Sequence, residues 1–166
     1  MNPFTRSAIS AMALLCLDFA TPDVAAAQTA KDLVGTWKLI SLTAQAVDTK
    51  ETKDGLGPKP LGRMIVTATG FITSYRVADG RKPAQTEADR AQLLQTMAAW
   101  TGRYRVEGNQ LLVKIESGWN ENDTGKEFPR TITLEGNKLT ITLINPSSNF
   151  FAGRPAYGRE VWERED

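Results

Sequence analysis

The chain of 166 residues has no histidine and one cysteine, Cys16. Without imidazole there is no Ser-His-Asp or Cys-His catalysis, no histidine-bound metal and no imidazole pH switch. Acid–base chemistry is left to carboxylate, lysine, arginine, tyrosine and hydroxyl groups. A single cysteine cannot close an internal disulfide. Neither sign of charge dominates: 20 basic and 19 acidic residues give a net charge of +1. A nucleic-acid partner, which calls for a basic stripe, is therefore not expected. The sequence also lacks internal repeats, low-complexity tracts and any apolar run long enough to span a bilayer.

What the sequence does have begins with a leader. Arg6 supplies a positive start, residues 8–17 a short apolar run, and Ala25-Ala26-Ala27 a small-residue cleavage site before Gln28. Residues 1–27 thus read as a secretory signal peptide, and residues 28–166 as one domain large enough to bury a core. Loss of Arg6, Asp18 and Asp23 with the leader moves the net charge from +1 to +2. Cys16 raises the alternative of a lipid anchor, but Leu15 stands before it where an attachment site wants a small residue. The mature protein is expected to be soluble, periplasmic or secreted, and free of cysteine.

Beyond the leader, short β-rich runs alternate with turn signals. Residues 37–46, 63–68, 71–77, 102–106, 111–117, 128–134, 139–144 and 159–163 read as eight strands, joined mostly as hairpins. Thr69-Gly70, Glu107-Gly108-Asn109-Gln110 and Glu135-Gly136-Asn137-Lys138 supply the turns. Residues 49–60, rich in Gly, Pro and Lys, read as a loop too polar to hold structure of its own. Residues 87–100 break the rhythm, with Leu93, Leu94, Met97 and Ala98 at helical spacing and Thr86 and Asp89 in a capping box. Such a helix either packs outside the sheet over an apolar patch or forms a lid on the mouth.

The two ends and one internal stretch share a pattern. Asp32-Leu33-Val34 leads into Gly35-Thr36-Trp37, and the chain closes on Val161-Trp162-Glu163-Arg164. Between them run Tyr104-Arg105-Val106, then Lys114-Ile115-Glu116-Ser117-Gly118-Trp119-Asn120, Gly125, Phe128-Pro129-Arg130 and the hairpin around Gly136. Over nearly all of residues 33–164 the sequence resembles the lipocalin-like domain family of bacterial and fungal proteins. The resemblance implies an all-β, eight-stranded antiparallel calycin-type barrel, with one helix inserted between strands. It implies that Trp37 plugs the closed end, with Arg164 lying across its indole. Many relatives place histidine just before the glutamate of residues 111–117, whereas Val113 and Lys114 stand here. Chemistry resting on those histidines is not carried over, and the fold alone fixes no reaction.

Alternation along strands sorts the candidate ligand-binding residues. Phe128, Arg130, Ile132 and Leu134 share an apolar face, which places Arg130 in the lumen. There it would either grip an acidic head or form an internal ion pair with Glu116, or snorkel to solvent. By the same parity Lys114 and Glu116 lie outside, since Leu111, Val113 and Ile115 form the apolar face. Tyr104, and Tyr75 with Phe71, Thr73 and Val77, are read as facing inward, as lumen wall or as core. Ser41 follows Trp37 and Leu39 on one face, and Trp119 rims the mouth or caps the core.

These readings predict an exported protein that binds a small hydrophobic or amphipathic molecule, with neither metal nor cofactor. A cofactor-independent isomerase, cyclase or lyase using the lumen is the second expectation, with Tyr104 or Glu116 moving a proton. An envelope protein-interaction module using residues 49–60 is the third.

Overall fold

The computed structural model describes residues 28–146 and 148–165, so the leader, with Cys16, lies outside the described residues. A helical turn α1 (Ala30–Leu33) leads into β1 (Gly35–Ala46), followed by β2 (Thr52–Asp54), β3 (Leu61–Val66) and β4 (Phe71–Val77). Helix α2 (Glu87–Gln95) precedes β5 (Met97–Glu107), β6 (Gln110–Gly118), β7 (Glu127–Glu135), β8 (Lys138–Asn145) and β9 (Ala156–Arg164). Every pairing is antiparallel. β1 meets β3 on one side and β9 on the other, so β1 and β3–β9 close into an eight-stranded barrel, with β2 as an extra short strand.

Inward positions carry the core, among them Trp37, Leu39, Met64, Ile72, Val113, Ile115, Ile132, Leu139, Ile141 and Trp162. The closed end is plugged as the terminal pattern implies. The Trp37 indole N–H donates to the Leu33 carbonyl at 2.9 Å. Arg164 lies 4.2 Å over its ring and donates to the carbonyls of Val34 and Asp32, both at 2.5 Å.

Three features depart from the sequence reading. Residues 49–60 are not structureless: β2 pairs with Thr43–Gln45 of β1, Gly55 N–H donates to Leu42 at 2.9 Å, and Leu56 is buried in the core. This segment fills the gap left where β1 parts from β3 after Lys38. Second, the helical segment stops at Gln95, and residues 97–100 belong to β5, drawn into the sheet by the pairing of Met97 with Val77. The capping box forms as expected: Asp89 N–H donates to Thr86 Oγ1 at 3.2 Å, and the Asp89 carboxylate accepts from Thr86 N–H at 2.9 Å. No residue of α2 is buried, so the helix does not cover an apolar patch. Third, β3 ends at Val66, and residues 67–70 form the turn, with Gly70 N–H donating to Thr67 at 3.2 Å.

Two irregularities set the parity of the lumen. On β1 the register with β9 shifts between Leu39 and Ser41, so the inward set passes from Trp37 and Leu39 to Leu42, Ala44 and Ala46. Between β5 and β6 it shifts at Thr101/Gly102, where the β6 backbone swings against β5. A Cβ at Gly102 would stand 2.0 Å from the Lys114 carbonyl oxygen. Neither atom belongs to a flexible side chain, so Gly102→Ala is expected to cost about 3 kcal/mol. Thermal unfolding followed by circular dichroism should show a fall of roughly 10 °C.

Candidate functional site

At the open end of the barrel a hollow of about 110 Å³ lies between β1, β4, β8 and β9. Leu42, Ala44, Leu143 and Ala156 give it apolar walls, and Ser148 and Phe150 overhang it from the loop joining β8 to β9. That loop is fixed by Phe151, buried with Ala44, Ala46 and Ala156. Lys53 of β2 ties it down from outside, donating to the Phe150 carbonyl at 3.2 Å and lying 4.8 Å from the Phe151 ring. No α2 residue lines this hollow. The helix instead flanks a separate cleft of about 450 Å³, outside the barrel and edged by Asp79, Arg81, Lys82 and Asp89.

The hollow also meets charge. Arg76 of β4 and Glu160 of β9 line it and form an ion pair, Arg76 Nη1 to Glu160 Oε1 at 3.2 Å. The second carboxylate oxygen, Oε2, accepts from the Trp162 indole N–H at 3.1 Å. One step deeper on β4, Ser74 is 3 % exposed, and its Oγ has no hydrogen-bond partner among the described residues.

Arg130 points into the lumen as its strand parity requires and is 8 % exposed. Its guanidinium lies 5.0 Å from the Trp100 ring and 5.9 Å from the Phe128 ring, and donates to the Phe128 carbonyl at 3.0 Å. Burial pulls its pKa down to about 10, with nearby Arg76 lowering it further and Glu160 and Asp123 opposing. It therefore remains protonated at neutral pH. Glu116 is not its partner: that carboxylate faces outward and pairs with Arg103 at 3.4 Å.

The remaining sequence candidates scatter. Phe128 is half-buried beside Arg130. Tyr104 faces inward but near the closed end, and its hydroxyl donates to the Thr67 carbonyl at 2.9 Å; burial pushes its pKa up. Two inward placements are corrected. Tyr75 is 47 % exposed, because the lumen face of β4 is Ile72, Ser74 and Arg76. Ser41 leaves the lumen face because of the β1 bulge. Trp119 is 38 % exposed; its backbone N–H donates to the Ala99 carbonyl at 2.8 Å, and it does not line the hollow.

Sequence reasoning missed Ser74, Arg76, Trp100 and Glu160. The signal for the β4 pair lay in its hairpin partner: Met64 and Val66, an apolar pair two apart on β3, stand opposite Ser74 and Ile72. Trp100 was assigned to the helix, and Glu160 shares its face with Trp162. Among the described residues no group of His, Cys, Asp or Glu is arranged to hold a metal ion, and no helix is long and apolar enough to cross a membrane.

Compared with known protein families, the chain matches the lipocalin-like domain over residues 34–164. No curated protein matches it.

Proposed function

We propose, from the premise that this chain belongs to the lipocalin-like domain family, that it holds a small hydrophobic or amphipathic molecule in its barrel and does so outside the cytoplasm. The observation that carries the reading is the hollow at the open end, apolar on its walls and polar where Arg76 and Glu160 enter it. Small-molecule sites combine these two features, a largely apolar concavity with few, placed polar groups. The leader pattern of residues 1–27 supports export.

At about 110 Å³ the space fits a short chain or a single ring. Phe150, 40 % exposed, is the side chain whose rotation enlarges it, since the neighbouring Phe151 is locked in place.

Native mass spectrometry of protein recovered from the periplasm of a bacterial host tests both parts. A mass starting at Gln28 with a bound small molecule is the expected result. Leu143→Trp, which fills the hollow, is expected to weaken a short-chain fatty-acid analogue about 100-fold by isothermal titration calorimetry while circular dichroism stays native. A protein carrying no guest and binding no analogue, or a tryptophan variant binding as well as wild type, overturns the reading.

A further inference from the structure

We propose that the lumen selects guests bearing one negative charge, and that Arg76 at the hollow, with Ser74 beneath it, rather than Arg130, meets the acidic head. The inference rests on the small-molecule reading above and adds the class of ligand and the groups that recognise it.

The charge count comes first. Arg76 and Arg130 place two guanidiniums in the lumen, where Glu160 is the one carboxylate paired directly with either; Asp123 acts on Arg130 only through space. Both oxygens of that carboxylate are already engaged, one by Arg76 and one by Trp162. Arg130 has two aromatic rings and one carbonyl around it but, among the described residues, no direct ion pair. A charge buried in apolar surroundings without a counterion leaves a field that attracts an anion and repels a cation. One guanidinium without a directly paired carboxylate matches one negative charge. A dianion would bring a second charge with nothing to neutralise it, close to Glu160.

Geometry then decides which groups touch the head. Of Arg76, Ser74 and Arg130, only Arg76 lines the hollow, and Ser74 lies beneath it on the same strand face, closer along β4 than Arg130 on β7. Arg76 gives Nη1 to Glu160, and a guanidinium has five N–H groups, so donors remain for a second acceptor. Ser74 stands next on the same lumen face, with a buried hydroxyl lacking a partner. A buried polar atom left so is uncommon, and a ligand oxygen would satisfy it. The polar groups thus descend from Arg76 to Ser74, while the apolar walls and Phe150 lie toward the mouth. A guest enters head first, with its tail under Phe150. Arg130, held between rings, contributes through its field.

The test uses the full exported protein and four probes of equal chain length: octanoate, octanol, octylamine and octyl phosphate, at pH 8.5, by isothermal titration calorimetry. Octanoate should bind at least tenfold more tightly than octanol, octylamine should not bind, and octyl phosphate should bind less tightly than octanoate. Ser74→Ala removes only an unpartnered hydroxyl, so the fold is expected to persist. It should weaken octanoate about tenfold and leave octanol unchanged. Arg76→Met should bring acid and alcohol to equal affinity; if it does not fold, Ser74→Ala decides. Equal wild-type affinity for acid and alcohol, preference for the amine or the phosphate, or an alanine variant that shifts both guests alike overturns this inference but leaves the small-molecule reading standing. Binding of none of the four removes that reading, and this inference with it.

Discussion

Replacing Trp37 with alanine is expected to remove most of the stability of this protein, a loss of about 4–5 kcal/mol against a typical domain total of about 5–15 kcal/mol. The indole is fully buried, and its loss leaves a cavity the size of a tryptophan side chain less a methyl group. Two further losses follow from geometry. The Leu33 carbonyl loses the donor that fixes α1 against the barrel. Arg164 loses the ring beneath it, although its two donations to Val34 and Asp32 remain. Trp37→Phe keeps the ring and much of the volume and should cost about half as much. Urea unfolding monitored by circular dichroism separates the two variants, and a loss under about 2 kcal/mol for alanine would show that α1 and Arg164 close the end without the indole.

This end of the molecule was legible because its signals are local and redundant. Gly35-Thr36-Trp37 and Arg164 sit at the chain termini of the barrel, and the first and last strands must meet if the sheet closes. Local chemistry likewise fixed the α2 capping box and the turns around Gly108 and Gly136, and strict alternation fixed Arg130 on the lumen face of β7. The open end was less legible, for three physical reasons. The β1 bulge exists only in relation to β9, so Leu42 and Ala44 replace Ser41 on the lumen wall without a local mark. On β4 the outward face, with Phe71, Tyr75 and Val77, is more apolar than the lumen face, because the lumen holds charge and Phe71 finds cover 5.4 Å under Arg103. Hydrophobicity therefore points the wrong way where the barrel carries its polar groups. Finally, Met97 and Ala98 continue the helical spacing of Leu93 and Leu94 as well as they fit a strand. Only the pairing of β5 with β4 decides between them, and Trp100 goes with that decision.

The polar cluster itself yields the second large effect. Glu160→Ala is expected to destabilise the fold by about 3–5 kcal/mol, because it strands Arg76 without its paired carboxylate in a lumen that also holds Arg130. It also leaves the Trp162 indole N–H, buried at the core, without its acceptor. Glu160→Gln keeps an oxygen for that N–H and should cost less, which isolates the charge component from the hydrogen bond. Replacing both partners, Arg76→Met with Glu160→Met, should restore much of the loss, since apolar side chains of similar volume suit such a site. The double-mutant cycle is therefore expected to show strong coupling, with the double variant more stable than Glu160→Ala alone. That outcome bears on why the cluster exists. A pair that methionines replace at little cost to stability is not what holds the barrel together. Its presence in the wall of the hollow then calls for another reason, and a polar contact for the head of a bound guest supplies one. If the double variant instead loses as much as both single changes combined, the ion pair is part of the framework, and Ser74 with Arg130 would be left to recognise the guest.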